Sequence, residues 1–207
     1  MKKRFCVVIL LAALFGGSPA CAFEVLPVKF QAPVLITGFG QCIDANLAKI
    51  FVHRLGIDYK YGLDISPEAV DWNSCRTVIA VLGSSNGVCC CSLGCDVRSV
   101  LTRDGRVSKV VCGINLLDEE DRCRRILDEA KKRHIPVVAM HLGGMQRRLR
   151  TSEPFMPFAG EADYVVVRAD GNSDGYFTRL CAEKNIPLRS MEKGTELKEV
   201  IRQMFKS

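Results

Sequence analysis

The stretch Pro33-Val-Leu-Ile-Thr-Gly-Phe-Gly-Gln-Cys42 begins a pattern that repeats along the chain: an apolar run, a glycine-rich turn and an amphipathic stretch. Its apolar run, Val34–Thr37, has no polar face and contains β-branched residues, which is typical of a parallel strand covered on both sides. We therefore interpret it as the first strand of a buried sheet. Further strands are predicted at Asp58–Tyr61, Thr77–Leu82, Pro136–Met140, Tyr164–Val167 and Pro187–Met191.

The stretches between these strands carry apolar residues at helical spacing, which predicts amphipathic helices. Their apolar stripes are Leu47, Ile50, Phe51 and Leu55, closed by Gly56; Leu116, Cys123, Ile126, Leu127 and Ala130; and Leu197, Val200, Ile201, Met204 and Phe205. Strands that alternate with helices predict a three-layer α/β/α sandwich with a mainly parallel sheet, either flavodoxin-like or Rossmann-like.

One long segment interrupts this alternation. About thirty residues separate Leu82 from the helix near Leu116, which is too many for a plain connection. Two β-rich runs within the segment flank Asp104-Gly105, a favoured two-residue turn pair. The sequence therefore predicts an inserted β-hairpin at about residues 97–112. Cys95 and Cys112 fall near its base, where a cross-strand disulfide is geometrically plausible.

The first 22 residues have the layout of a secretory signal peptide. Three basic residues precede an apolar run from Phe5 to Phe15, and Ala20-Cys-Ala22 follows as a small-residue cleavage site. The run of about 11 residues is shorter than the roughly 20 that a spanning helix needs. We expect cleavage near Ala22, export to the periplasm or the extracellular space, and a single α/β domain over residues 23–207. Lipidation at Cys21 is the alternative.

The composition fits an ordinary globular domain and argues against a nucleic-acid partner. The chain has 207 residues and a formal net charge of +6. Removal of Lys2, Lys3 and Arg4 with the signal peptide would halve that excess to +3, with the remaining basic residues scattered. We predict no cofactor, and the sequence leaves the oligomeric state open.

The turns after the strands hold the candidate ligand-binding residues, because ligands of open α/β sheets bind at the carboxyl ends of the strands. Glycines permit close backbone approach, hydroxyls and amides donate hydrogen bonds, and Arg and His can hold an anion. The candidates are Gly38, Gly40, Gln41, Gly83, Ser84, Ser85, His141, Gly143, Gly144, Arg147 and Asn172. Together they predict a pocket rich in donors and positive charge, suited to a small carboxylate or phosphate.

Each turn also has a purely structural interpretation. The glycines after the first strand can serve packing alone, and Gly83-Ser-Ser-Asn-Gly87 has the composition of an ordinary turn. Asn172 or Ser173 can cap the helix that follows. The sequence contains no Walker loop, no zinc-protease motif and no G-x-S-x-G elbow.

Four motifs stand out in combination: Pro33-Val-Leu-Ile-Thr-Gly-Phe-Gly-Gln41, Val81-Leu-Gly-Ser-Ser-Asn-Gly87, Ala139-Met-His-Leu-Gly-Gly144 with Arg147-Arg148, and Asn172-Ser-Asp-Gly-Tyr-Phe177 followed by Asn185-Ile-Pro-Leu188. Together they resemble an exported bacterial family known as domain of unknown function 6305. The resemblance covers most of residues 33–206. It implies an exported α/β domain and the same site candidates, Gln41, Ser84, Ser85, His141, Arg147 and Asn172, but no reaction. The cysteine-rich loop and hairpin after the serines depart from the family pattern.

The residues leave three functional hypotheses. The first is an exported, non-enzymatic protein that binds a small anionic molecule, in the service of a membrane transporter or sensor. The second is an enzyme that uses His141 as acid or base with Cys42 or Ser84 as nucleophile, where a helix N-terminus would lower the pKa of Cys42. The third is a redox or metal protein built on Cys89, Cys90, Cys91 and Cys95, although their spacing lacks a standard metal-ligand pattern. Export to an oxidising compartment favours disulfides between some of these cysteines and Cys75, Cys112 or Cys123.

Overall fold

The computed structural model describes residues 30–84, 97–102, 104–111, 113–148 and 151–206. One sheet contains β1 (Val34–Phe39), β2 (Tyr59–Tyr61), β3 (Thr77–Leu82), β7 (Val137–His141), β8 (Tyr164–Arg168) and β9 (Leu188–Met191). A second contains β4 (Val97–Leu101), β5 (Val107–Val111) and β6 (Ile114–Asn115). The helices are α1 (Ala45–Arg54), α2 (Leu116–Lys132), α3 (Tyr176–Lys184) and α4 (Leu197–Met204). Shorter 3-10 helices cover Pro67–Ala69, Met145–Arg147, Glu153–Glu161, Ala169–Asn172 and Gly194–Glu196.

The main sheet is parallel throughout, in the order β2-β1-β3-β7-β8-β9. The chain runs outward from β1 to β2 and then crosses back to β3, which is the flavodoxin-like order and not the Rossmann order. The structure thus confirms the three-layer α/β sandwich. In this topology the direction of winding reverses between β1 and β3, so ligands are expected at the carboxyl ends of those two strands.

Each face of the main sheet is covered by its own apolar layer. One cluster joins alternate strand residues such as Leu35 and Val165 to α2, α3 and Glu153–Glu161. The other joins strand residues of the opposite face, such as Ile36 and Val166, to α1 and α4. Strands covered on both sides need apolar residues at every position, which explains why their sequences do not alternate.

The second sheet confirms the predicted hairpin. β4 and β5 pair antiparallel, with Leu101 opposite Val107 beside the turn. The hairpin docks on α2 through Ser108, which is buried and donates to Asn115 Oδ1. Asn115 is the N-cap of α2 and accepts hydrogen bonds from the backbone of Leu117 and Asp118. The insertion therefore supports the start of the longest helix described.

The first helix differs from the prediction at its start and at one position of its apolar stripe. It begins at Ala45 and not beside Cys42, where a helix N-terminus was expected, because Gly40 and Gln41 have left-handed φ angles of 84° and 53° that no helix accommodates. Its residues Leu47, Phe51 and Leu55 pack against the core as predicted. Its buried residues are Ala45, Ala48 and Val52, while Ile50 is exposed. Small alanines allow the helix to lie close to the sheet, so the larger apolar residues flank the contact.

Several predictions fall on residues outside the described ranges. These are the signal peptide with Cys21, Ser85, the cysteines at 89, 90, 91 and 95, and Cys112. Among the described residues, no helix has the length and apolar character needed to cross a membrane. Cys75 and Cys123, two of the suggested disulfide partners, are buried as free thiols, as are Cys42 and Cys181.

Candidate functional site

The parallel sheet brings the predicted turns together at one edge, but it packs the first two against each other. A Cβ atom on Gly40 would lie 2.2 Å from the Gly83 carbonyl oxygen and 2.6 Å from the Phe155 ring. A Cβ atom on Gly38 would lie 2.5 Å from the backbone nitrogen of Cys42. These glycines are therefore required by the close approach of the chain to itself, which is the structural interpretation of this turn.

The backbone N–H groups of the first turn bind a carboxylate that belongs to the protein. Gly40 N–H and Gln41 N–H both donate to Glu119 Oε1, at 3.0 and 3.1 Å. Glu119 lies in the first turn of α2 and is only 4% exposed. The donors expected to face a ligand at the β1/β3 switch point thus hold an internal anion.

Arg122 completes this internal arrangement. Its Nε donates to Glu119 Oε2 at 2.9 Å, and its Nη2 lies 2.6 Å from Glu119 Oε1. The remaining guanidinium hydrogens reach the carbonyl oxygens of Ile65 and Gly38. One buried ion pair therefore ties α2 to the ends of β1 and β2, as a buried charge pair must be tied by further hydrogen bonds. Neither Glu119 nor Arg122 was predicted as a site residue from the sequence.

The nucleophile candidates are buried beside these turns. The pKa of the Cys42 thiol is raised to about 12, mainly by burial and secondly by the charge of the neighbouring Asp44 carboxylate. The lowered pKa expected for this thiol is therefore wrong. Its Sγ lies 3.8 Å from Asp44 Oδ2. Ser84 is also buried, and its backbone N–H donates to Ser152 Oγ at 2.8 Å.

His141 is fully buried behind the turn that follows β7. Its Nδ1 lies 3.1 Å from the Leu82 carbonyl oxygen, which can only accept, so Nδ1 carries the proton. Its ring stacks on Phe177, and burial lowers its pKa. The imidazole is thus neutral, and Nε2, which has no hydrogen-bond partner among the described residues, is an acceptor. An acceptor does not bind an anion, contrary to one role expected for His141.

A cleft of about 710 Å³ lies at the same sheet edge, between the start of α1 and the turns after β7 and β8. Of the predicted residues it contains Gly143, Gly144 and Arg147. A Cβ atom would clash with Arg147 at Gly143 and with Asp170 at Gly144. Glycine at both positions therefore lets charged side chains lie directly over the loop. The lining residues are Asp44, Leu47, Leu142, Gly143, Gly144, Met145, Arg147, Arg168, Asp170 and Ser173.

The charges in this cleft are balanced, so the expectation of a positive pocket needs correction. Arg168 is held by Asp170, with Nε 2.5 Å from Oδ1. Arg147 Nη2 lies 3.4 Å from Asp44 Oδ1, and these two side chains are 16% and 20% exposed. The Nη1 of Arg147 is buried and, within the described part of the chain, has no hydrogen-bond partner. Asp44, Arg168 and Asp170 were missed because acids and arginines after strands resemble solvated loop residues.

Asn172, the predicted site residue that follows β8, stabilises the start of α3. Asn172 Oδ1 accepts a hydrogen bond from Phe177 N–H at 2.8 Å, and its Nδ2 donates to Thr178 Oγ1 at 2.8 Å. Arg148 donates to Asp174 at 2.6 Å and lies over the Tyr176 ring. The amide of Asn172 is thus used within the protein, which agrees with the capping alternative.

The described residues contain no group of three His, Cys, Asp or Glu side chains that could hold a metal ion.

Fold and site together define a class: three-layer α/β proteins of flavodoxin-like strand order, with a charged cleft at the strand carboxyl ends. A family model described as domain of unknown function (DUF6305) matches residues 31–205, and the chain belongs to that family. No curated protein and no solved structure matches the chain. The family resemblance inferred from the four motifs is therefore confirmed.

Proposed function

We propose that the protein binds a small anionic ligand, a carboxylate or a phosphate, in the cleft between α1 and the turns after β7 and β8. The observation that carries the proposal is the Arg147 guanidinium in the wall of this cleft: its side chain is 16% exposed, and its Nη2 makes a long contact of 3.4 Å with Asp44 Oδ1. Carboxylates and phosphates are the groups that match the planar fork of a guanidinium. The cleft volume of about 710 Å³ is typical of small-molecule sites.

Binding without catalysis is the simpler role for this cleft. The described nucleophile candidates, Cys42 and Ser84, are buried outside its lining, and so is His141. A catalytic group must touch the reacting atoms, whereas a binding site needs only complementary charge and shape. Together with the signal peptide expected at residues 1–22, this supports an exported binding protein that serves a membrane transporter or sensor.

Thermal denaturation in the presence of carboxylates and phosphates tests the proposal. A ligand at one hundred times its Kd stabilises the folded state by about 2.7 kcal/mol, so the Tm should rise by several degrees. Arg147→Lys keeps a charge beside Asp44 but loses the bidentate fork, and we expect it to weaken binding at least about tenfold. Arg202→Ala, on the surface of α4, is the matched control and should bind as the natural chain does. Stabilisation by none of these compounds, or equal stabilisation of Arg147→Lys, contradicts the proposal.

A further inference from the structure

We infer that the ligand is a zwitterion, an α-amino acid or a compound with the same adjacent ammonium and carboxylate groups, and that Asp44 binds the ammonium while Arg147 binds the carboxylate. This inference rests on the proposed binding function and adds the chemical class of the ligand. Its basis is a charge pair in the cleft in which both partners are incompletely hydrogen-bonded.

Asp44 has unused acceptor capacity. An ionised carboxylate can accept about four hydrogen bonds. Within the described residues, the donors near its oxygens are the Cys42 thiol at 3.8 Å and the Arg147 guanidinium at 3.4 Å. A thiol is a weak donor, and 3.4 Å is long for a charged pair. With the side chain only 20% exposed, water can reach it only in part.

Arg147 has the complementary deficit. The contact of its Nη2 with Asp44 is long, and its side chain is 16% exposed in the wall of the cleft, where a ligand can reach it. A partly buried charge pair repays its desolvation only when further hydrogen bonds satisfy both ions. A ligand that carries one donor cation and one acceptor anion completes both partners at once.

A simple anion satisfies only half of this arrangement. The four charged residues of the lining are two arginines and two aspartates, so the cleft has no net formal charge. The carboxylate of Asp170 is already bound by Arg168. A simple anion beside Arg147 would therefore be repelled by the negative charge of Asp44. A ligand with separated charges and no net charge fits this field. Leu47, Leu142 and Met145 form an apolar part of the wall for the ligand's carbon atoms.

Matched ligand series separate the two charges. Each L-α-amino acid is titrated by calorimetry beside its deaminated acid and its decarboxylated amine: for leucine, 4-methylpentanoate and 3-methylbutylamine. We expect at least one amino acid to bind, with its acid and amine at least about tenfold weaker. Asp44→Asn should weaken binding of that amino acid about tenfold or more, whereas its deaminated acid should bind at least as tightly as to the natural chain, which also shows that the variant is folded.

The outcomes distinguish the two proposals. If deaminated acids bind as tightly as amino acids, and Asp44→Asn does not change the preference, the zwitterion inference is overturned while anion binding stands. If no compound with a carboxylate binds, the zwitterion inference fails, and the proposed function fails with it when phosphates also give no stabilisation. Asp58→Asn removes an exposed carboxylate that precedes β2, at the opposite edge of the sheet, and should bind all three compounds as the natural chain does.

Discussion

Glu119 is the residue whose carboxylate occupies the backbone N–H groups of the turn after β1, at the switch point between β1 and β3. It lies on the buried face of α2, between Leu116 and Cys123, where the helical pattern calls for an apolar side chain. A carboxylate at such a position must be paired, because an unpaired buried charge is prohibitively costly. That signal was available in the sequence, but its partners were not, since the N–H groups of Gly40 and Gln41 come from a turn far along the chain.

Replacement of Glu119 tests whether the internal anion stabilises the fold. Glu119→Ala leaves the Arg122 charge buried and two N–H groups unpaired, so we expect a loss of about 3–5 kcal/mol in the free energy of unfolding. Urea denaturation measures it. Added formate should restore part of the stability by occupying the vacated position, and Glu183→Ala, an exposed change on α3, should alter stability by less than about 0.5 kcal/mol. A loss below about 1 kcal/mol in Glu119→Ala would contradict the structural role.

His141 makes stability depend on pH in a defined direction. Burial lowers its pKa below the ordinary value of 6.5 in the folded state, so the unfolded chain binds more protons as the pH falls. The stability contributed by the neutral imidazole is therefore present above pH 6.5 and is lost as the pH falls through the folded pKa. We expect the urea midpoint to fall between pH 7.5 and pH 5.5. The fall should be smaller in His141→Gln and unchanged in His53→Gln, which alters an exposed residue; an identical fall in His141→Gln would contradict this assignment.

At the scale of elements, predictions succeeded where local sequence decides the structure. The bounds of β3 are those predicted, because its apolar residues are uninterrupted and buried on both faces. The end of β1 was placed too early, since Gly38 was interpreted as turn although the strand continues to the buried Phe39. The ion pair between Asp44 and Arg147 was not predicted, for a different reason. These two side chains meet only because the start of α1 and the turn after β7 lie at the same edge of the sheet.

The junction of the hairpin and α2 gives a prediction at this scale. Asn115 accepts the hydrogen bonds of two N–H groups at the start of α2 and that of the Ser108 hydroxyl. Asn115→Ala should lower the free energy of unfolding by about 1–2 kcal/mol, whereas Asn115→Ser retains a side-chain oxygen and should lose about half of that or less. Chemical denaturation of both variants measures the difference. Equal losses would show that the cap does not hold this helix.

At the scale of the whole molecule, the charge of the chain separates into two parts. Lys2, Lys3 and Arg4 stand in the segment expected to be removed, and the arginines of the cleft are matched by aspartates. The net charge of +6 therefore gives no measure of the charge in the cleft, which is locally balanced. The balance depends on which side chains pair in the fold, and this is why the residues of the turns predicted a more positive pocket than the structure contains.

Cleavage of the first 22 residues is the prediction that tests whether the protein is exported. The basic start, the apolar run to Phe15 and the small residues Ala20 and Ala22 predict cleavage by a signal peptidase, because that enzyme accepts only small side chains at these two positions. Expression of the full chain in a bacterium, followed by intact mass measurement of the exported fraction, should give a protein that begins at Phe23. Ala22→Arg should block cleavage, and Ala13→Leu, within the apolar run, should not. A membrane-bound product that begins at Cys21 and disappears in Cys21→Ser would establish lipidation instead, and a chain that keeps Met1 in the cytoplasmic fraction would contradict export.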